Sequence, residues 1–288
     1  MNIKLRILSV IPLLLILSLV CFTFINPSEQ LLSVARASHV AADFNDVEQV
    51  ESGFFIRYGA WVRDCFNLDF GYSKINPDVT VVSIIGNSFP ATGSLIIISF
   101  LIVIGVSVPV GITCAKYKNG WFDRIIKRIT FVLTIMPVYW IGLIIIWYFH
   151  VSLVENYFIF PALAIALAYV PRWIKNIRNL FVDAFGQDYV LYARARGLSN
   201  SKVMDHIIKN TAPLFVNDIF RGIPQLALCM VIIENIFAVP GLGTLCTKAL
   251  LNMDFPIIQT FVLWIGVLCI FANLAFDIIK YAITPQHV

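Results

Sequence analysis

The stretch ATGSLIIISFLIVIGVSVPVGITCA, Ala91–Ala115, runs for 25 residues without a charged side chain, and its reading decides the fold. A helix needs about 20 consecutive apolar residues to cross the hydrocarbon core of a bilayer. Hydrocarbon offers no water to an unpaired backbone N–H or C=O, so only helices and closed barrels cross it. A run that is apolar on every face for this length reads as a helix in lipid.

Working outward, the same signature recurs. Six runs are expected to span: Leu5–Ile25, Ala91–Ala115, Ile129–Val151, Tyr157–Ile174, Ala212–Val239 and Phe255–Ile283. The composition agrees, with 59% hydrophobic and 13% charged residues and a mean hydropathy of +0.83, against roughly a quarter charged in soluble domains. The fold class expected is an all-α polytopic membrane protein with six transmembrane helices. The first run is too long, and the small-residue stretch Val34–Ala37 too far beyond it, for a cleaved signal peptide. It is expected to remain as the first span.

Lys and Arg set the orientation. Fifteen of the 21 basic residues fall at the ends of the chain and in alternate connections, among them Lys116, Lys118, Arg124, Lys127, Arg128, Arg172, Lys175 and Arg178. By the positive-inside rule both termini are cytoplasmic, and the net charge of +4 reflects topology rather than nucleic-acid binding. The organisation expected is a first helix over 1–25, an extracytoplasmic lobe over 26–90 and a five-helix core over 91–288. The lobe is acidic and rich in aromatics, with Phe54–Phe66 reading as an amphipathic helix, and it suits a receptor surface for something arriving from outside.

Chemistry is sparse. The chain has no G-x-x-x-x-G-K-[ST], so no P-loop for ATP. Its six cysteines (Cys21, Cys65, Cys114, Cys229, Cys246, Cys269) are scattered with no C-x-x-C or zinc spacing, and a Cys65–Cys246 disulfide is the minor alternative to free thiols. The four histidines are far apart. No catalytic constellation and no metal site can be argued, which leaves a membrane-embedded hydrolase without a nucleophile. Polar residues within the spans are costly and face partners or cavities. Asp218, Arg221, Gln225 and Glu234 in the fifth run are therefore candidates for a translocation path, with structural pairing as the alternative, and Asp277 in the sixth reads as structural. Prolines recur in the spans (Pro109, Pro137, Pro161, Pro171, Pro213, Pro224), and each permits a kink.

The largest polar insert is DYVLYARARGLSNSKVMDHIIK, Asp188–Lys209, within a cytoplasmic loop over 186–210. Asp188–Arg196 is compatible with a helix, Gly197 interrupts it, and Ser199 suits the N-cap of a second helix through Lys209. A helical hairpin with Leu198 near its tip and apolar residues at Val190, Leu191, Val203, Met204, Ile207 and Ile208 is a docking element for a soluble partner.

This insert resembles the coupling loop of binding-protein-dependent ABC importer permeases, in the dipeptide/oligopeptide/nickel branch, which reads D-Y-V-x-x-A-R-A-x-G-L-S. Glu234–Gly243 (ENIFAVPGLG) resembles the branch signature E-x-x-F-x-x-P-G-L-G, and Asp254–Pro256 with Gln259 the motif that opens its last span. LDFGYS (Leu68–Ser73) and FPAT (Phe89–Thr92) resemble its outer-loop and second-span patterns. The chain departs from the general family pattern at Leu191 and Tyr192, where the generic loop has Glu and Ala. The short connection Ser152–Asn156 and the end soon after Pro285 are further departures.

The resemblance implies the type I ABC importer permease fold in a bacterial cytoplasmic membrane. It implies a second homologous permease, two cytoplasmic ATPases that bind ATP and Mg, and an external binding protein, with no cofactor in this chain. Asp188, Tyr189, Ala193, Arg194, Ala195, Gly197, Leu198 and Ser199 become the ATPase-coupling residues. The cargo implied is nickel or a metal–chelate (metallophore) complex, and di- or oligopeptide import is the alternative.

Overall fold

The computed structural model describes residues 3–25, 54–150 and 158–283. The acidic start of the outer lobe, the Ser152–Asn156 connection and the residues beyond 283 lie outside them. The described residues form ten helices: α1 (Ile3–Ile25), α2 (Phe54–Phe66), α3 (Val81–Lys116), α4 (Trp121–Ile135), α5 (Val138–Phe149), α6 (Ile159–Phe185), α7 (Asp188–Ala195), α8 (Asn200–Ile236), α9 (Leu242–Leu251) and α10 (Phe255–Ile283). The β-structure among them is one isolated bridge, Tyr72 to Thr80.

Apolar runs mark the membrane and not the helix, and the two differ here in three places. By length and composition α3 and Phe255–Ala275 of α10 can each cross a membrane, and α4 with α5 make a third span if that pair, bent by 102°, is one. The expected single run Ile129–Val151 is thus broken. Pro137 is the cause: it forces Met136 before it into an extended conformation, ψ 122°, and itself sits at the N-cap of α5. In the opposite sense, the second hairpin helix does not stop at Lys209. It continues without interruption into the fifth run, giving a helix of 37 residues, because no C-capping glycine separates Lys209 from Ala212. α6 likewise extends past Ile174 to Phe185.

The chain divides into two compact units, Met1–Pro90 with Thr244–Phe271, and Ala91–Gly243 with Ala272–Val288. In the first, Phe22 of α1 packs against Phe54, Tyr58 and Trp61 of α2 with ring centroids 5.4, 5.5 and 5.7 Å away. Ser18 and Tyr58 share a hydroxyl hydrogen bond of 2.6 Å. Leu17 fills the space where a side chain on Gly266 of α10 would lie. All six cysteines are free.

In the second unit α6 is the hub, packed against α4, α5 and α8. Its buried face includes Ala162, Ala164 and Ala166, small residues that let helices approach closely without a hydrophobic drive between them. Two glycines carry this further: a Cβ on Gly111 of α3 would lie 2.7 Å from Ile177, and one on Gly222 of α8 the same distance from Trp173.

The α4–α6 contact is closed by a buried ion pair. Arg178 donates from Nε to Asp123 Oδ1 at 2.6 Å and from Nη2 to Oδ2 at 2.8 Å. The Asn119 N–H adds a bond to Oδ2 at 2.9 Å. Asp123 is fully buried, so its charge depends on this two-pronged geometry. Removing one partner strands the other. Arg178→Ala is expected to cost about 3–5 kcal/mol and to lower the melting temperature of the purified protein more than the double change Asp123→Ala/Arg178→Ala. A double variant that melts no higher than the single one would mean that the pair carries no such penalty.

Candidate functional site

The insert folds as the hairpin its pattern predicts, and the turn follows from hydrogen bonding. α7 ends with the Gly197 N–H bonded to Arg194 O at 2.9 Å and the Leu198 N–H bonded to Ala193 O at 3.2 Å. This pair of bonds defines a Schellman termination, which needs a left-handed residue at its centre. Gly197 supplies it at φ +75°, and a Cβ there would meet nothing within 4 Å. Conformation, not crowding, demands glycine. Leu198 then turns back to pack with Val190, Ala193, Ile177, Phe181, Val203 and Ile207 in one apolar cluster, which seats the hairpin on the end of α6.

Asp188 opens α7 from its first turn, where a carboxylate complements the helix dipole. Tyr189 is half-buried against the cluster, while Arg194, Ala195 and Ser199 are exposed. Ser199 occupies the N-cap with extended backbone, but its hydroxyl makes no capping bond; its carbonyl accepts from the Val203 N–H at 3.0 Å. Leu191 and Tyr192 stand 60% and 72% exposed on the opposite side, an apolar pair in water that a monomer would have no reason to display.

The candidate path residues separate. Asp218 and Arg221 lie on α8 with side chains outside the described residues. Gln225 is tied to α6: Arg172 Nη1 donates to its Oε1, and the Tyr169 hydroxyl donates to its carbonyl at 2.7 Å while lying 3.0 Å from Cys229 Sγ. Glu234 is fully buried. Its Oε1 accepts from the Thr92 hydroxyl at 2.6 Å and its Oε2 from the Gly243 N–H at 2.6 Å. Thr92 in turn accepts from the Leu242 N–H at 2.8 Å. The carboxylate thereby satisfies the first donors of α9, where the helix dipole favours negative charge. A Cβ on Gly241 would overlap the carboxylate, and one on Gly243 would lie 2.9 Å from Oε2. That is the physical content of E-x-x-F-x-x-P-G-L-G.

A second pairing joins two other motifs. Ser73 Oγ donates to Asp254 Oδ2 at 2.6 Å and the Lys74 N–H to the same oxygen at 3.1 Å, with Lys74 Nζ 4.9 Å above the Phe255 ring. Ser73 and Thr92 fall in quoted motifs and Arg172 and Arg178 among the orienting cations, but none of their pairings was read from sequence; Tyr169 and Asp123 were not singled out, although Asp123 is the one acidic residue among the five basic ones of Lys116–Arg128. Among the described residues no group of three or more His, Cys, Asp or Glu side chains could hold a metal. Burial, then the neighbouring Asp64 and Cys21, push the Cys65 thiol up to about 12, which keeps it protonated and a poor ligand.

Comparison with known proteins agrees with the motifs. The family described as binding-protein-dependent transport system inner membrane component matches residues 107–286. The metal-staphylopine import system permease protein CntB of Staphylococcus aureus is 34% identical over 98% of this chain and 96% of its own length. A putative peptide transport system permease protein of Brucella abortus is 27% identical over 98% of this chain and 96% of its own. The nickel import system permease protein NikB of Staphylococcus aureus is 23% identical, covering 98% and 90%.

Two changes of opposite sign follow from the termini. Ala238 sits at φ 53° at the centre of another Schellman termination, with the Val239 N–H bonded to Glu234 O at 2.9 Å. Ala238→Gly is expected to stabilise the protein by about 1 kcal/mol and Gly197→Ala to destabilise it by about as much; thermal unfolding of the two variants checks the signs. Glu234→Gln faces a donor with an NH2 group and leaves a buried bond unmade. A loss of roughly 1–3 kcal/mol is expected, and a variant as stable as wild type would refute the placement of Glu234.

Proposed function

The chain belongs to the binding-protein-dependent transport system inner membrane component family, and from that membership we propose that it is the membrane-spanning permease subunit of an ATP-driven importer for nickel or a metal–chelate complex. An extracytoplasmic binding protein delivers the cargo. The metal-staphylopine relative at 34% identity supports a metal–chelate; peptide import by the same mechanism is the second reading, favoured by the peptide permease relative.

The observation that carries the mechanism is the joining of hairpin and span in one helix. α8 runs from Asn200 at the hairpin to Ile236, about 55 Å at 1.5 Å per residue. A displacement imposed at Gly197–Ser201 is carried toward Gln225 and the Glu234 loop along one continuous helix, which can bend at Pro213 and Pro224 on the way. In this reading two cytoplasmic ATPases hold the hairpins of this chain and of a second, homologous permease, with ATP and Mg bound in the ATPases. Leu191, Tyr192 and Arg194 face the ATPase, while Asp188, Tyr189, Ala193, Ala195, Leu198 and Ser199 shape the hairpin that docks there. Asp218, Arg221 and Gln225 line the path, and Glu234 serves it by holding the loop at the end of α8.

The topology proposed has both termini in the cytoplasm and six crossings made by α1, α3, the α4–α5 pair, α6, α8 and α10. Residues 1–25 form the first crossing, 26–90 an outer lobe, and 91–288 the core with its coupling loop at 186–210.

Uptake by the complete reconstituted complex tests the cargo, with nickel, nickel plus a small chelator such as histidine, and a dipeptide offered in parallel. ATP-dependent uptake of nickel, alone or with chelator, is expected; uptake of the dipeptide alone would move the assignment to peptides. Coupling is tested separately. Gly197→Ala is expected to keep most transport, since space around it is open, whereas Gly197→Trp should lower transport at least tenfold while leaving membrane insertion intact, by blocking the docked ATPase. Transport at the wild-type rate in Gly197→Trp would remove the coupling assignment.

A further inference from the structure

We propose that the groove between α4 and α6 is a binding site for an anionic phospholipid. The groove encloses 560 Å³ and is lined on α4 by Lys127, Phe131 and Thr134 and on α6 by Pro171, Lys175 and Arg178. Arg172 adds a fourth cation to its walls, against one carboxylate among the described lining residues, Asp123. Asp123 is already engaged by Arg178 and by Lys127, whose Nζ lies 3.0 Å away. Among the described lining residues the groove therefore carries an excess of positive charge.

Three of the four cations, Lys127, Lys175 and Arg178, lie toward one end, and Arg172 stands beside Pro171 at the other. The Asp123–Arg178 pair closes the groove at the first end. From it the walls run toward Thr134 on α4 and Pro171 on α6, roughly 16 Å and 10 Å away at 1.5 Å per residue. Along α4 the lining changes from Lys127 to Phe131 and Thr134, while along α6 it runs from Arg178 and Lys175 to Arg172 and Pro171. Phe131 is 68% exposed. The break at Pro137 sends α5 off at 102°, so nothing in α5 continues the wall, and Val132 and Ile135 remain exposed beside it.

A mostly cationic end and a mostly apolar end about one helical stretch apart match a phosphate headgroup with the start of an acyl chain. Basic pockets between helix ends are a known way for membrane proteins to hold anionic lipids. An inorganic anion would use the cations and leave the apolar end empty. The Arg178 end of α6 lies ten residues before the coupling hairpin begins, so a lipid bridging α4 to α6 would stiffen the helix on which the hairpin is seated.

Native mass spectrometry of the purified importer complex, incubated with phosphatidylglycerol or phosphatidylcholine of the same chains, tests the site. Wild type is expected to retain phosphatidylglycerol and not phosphatidylcholine. Lys127→Gln/Lys175→Gln should reduce that retention at least tenfold, while Lys118→Gln/Arg128→Gln, which removes two exposed cations outside the groove, should leave it unchanged. Thr134→Trp, which fills the apolar end and keeps every cation, should reduce it as well, so the result does not hinge on one variant's folding. Equal retention in the two Gln pairs, or equal retention of both lipids, would overturn the proposal. Displacement of phosphatidylglycerol by inorganic phosphate would make the site one for a free anion. Loss of the second permease with lipid retention unchanged would make the groove a protein interface.

Discussion

The carboxylate of Glu234 fixes where the longest helix of this protein stops and how the chain leaves it. A buried charge is tolerated only when its lone pairs are met, and here a hydroxyl from α3 and an N–H from α9 meet both oxygens. The donors come from residues 142 positions upstream and 9 downstream. One side chain thereby ties the beginning of one helix to the end of a second and the start of a third. The glycines at 241 and 243 leave the carboxylate its room, and Val239, fully buried with Leu95 and Ile233 in the same core, holds the loop from its apolar side. The rest of the second unit, from the α6 hub to the coupling hairpin, is built on helices whose ends are set in this way.

With that end held, α8 links the Glu234 loop to the rest of the unit in one continuous helix. Its other end is the hairpin, whose turn is fixed by the two backbone bonds around Gly197 and whose apolar residues are packed against α6. Between the hairpin and the Glu234 loop the helix is continuous, with Pro213 and Pro224 as the places where it can bend. α6 is locked in turn to α4 by Arg178 and Asp123. The hairpin is thus packed on α6, continuous with α8 and, through α6, tied to α4.

The sequence made the local parts of this arrangement legible. Apolar runs located helices, of which α3, α10 and the bent α4–α5 pair are long and apolar enough to cross a membrane; the Phe54–Phe66 pattern became α2 with those same limits, and the single glycine of Asp188–Lys209 marked the turn. Glu234 was legible as a polar residue in an apolar run, without its partners. What stayed hidden is long-range: Thr92 with Glu234, Ser73 with Asp254 and Arg178 with Asp123 lie 142, 181 and 55 residues apart, and no local periodicity encodes which polar groups will meet. The break at Pro137 was legible as a kink, but its angle depends on what α4 and α5 each pack against. The continuity of α8 was missed because hydropathy changes at Ala212 and Pro213 follows, both of which read as a boundary, yet the helix runs on through them.

The helix ends show how the hidden pairings and the local backbone depend on each other. Leu68, Ala238 and Met253 all adopt left-handed conformations, at φ 58°, 53° and 52°, where glycine is the usual choice. Each terminates a helix with the same pair of backbone bonds as Gly197, and none carries the glycine signal that would have announced it. For a residue with a Cβ this conformation costs roughly 1–2 kcal/mol. Ala238 and Met253 lie next to two of the buried carboxylates: the first directs the chain back over Glu234, the second delivers Asp254 to Ser73. Hydrogen bonds to a charged group contribute about 1.5–3 kcal/mol each, and each carboxylate accepts at least two. The bonds outweigh the strain at both positions. A left-handed alanine or methionine is stable there because that turn brings the carboxylate beside it to its donors.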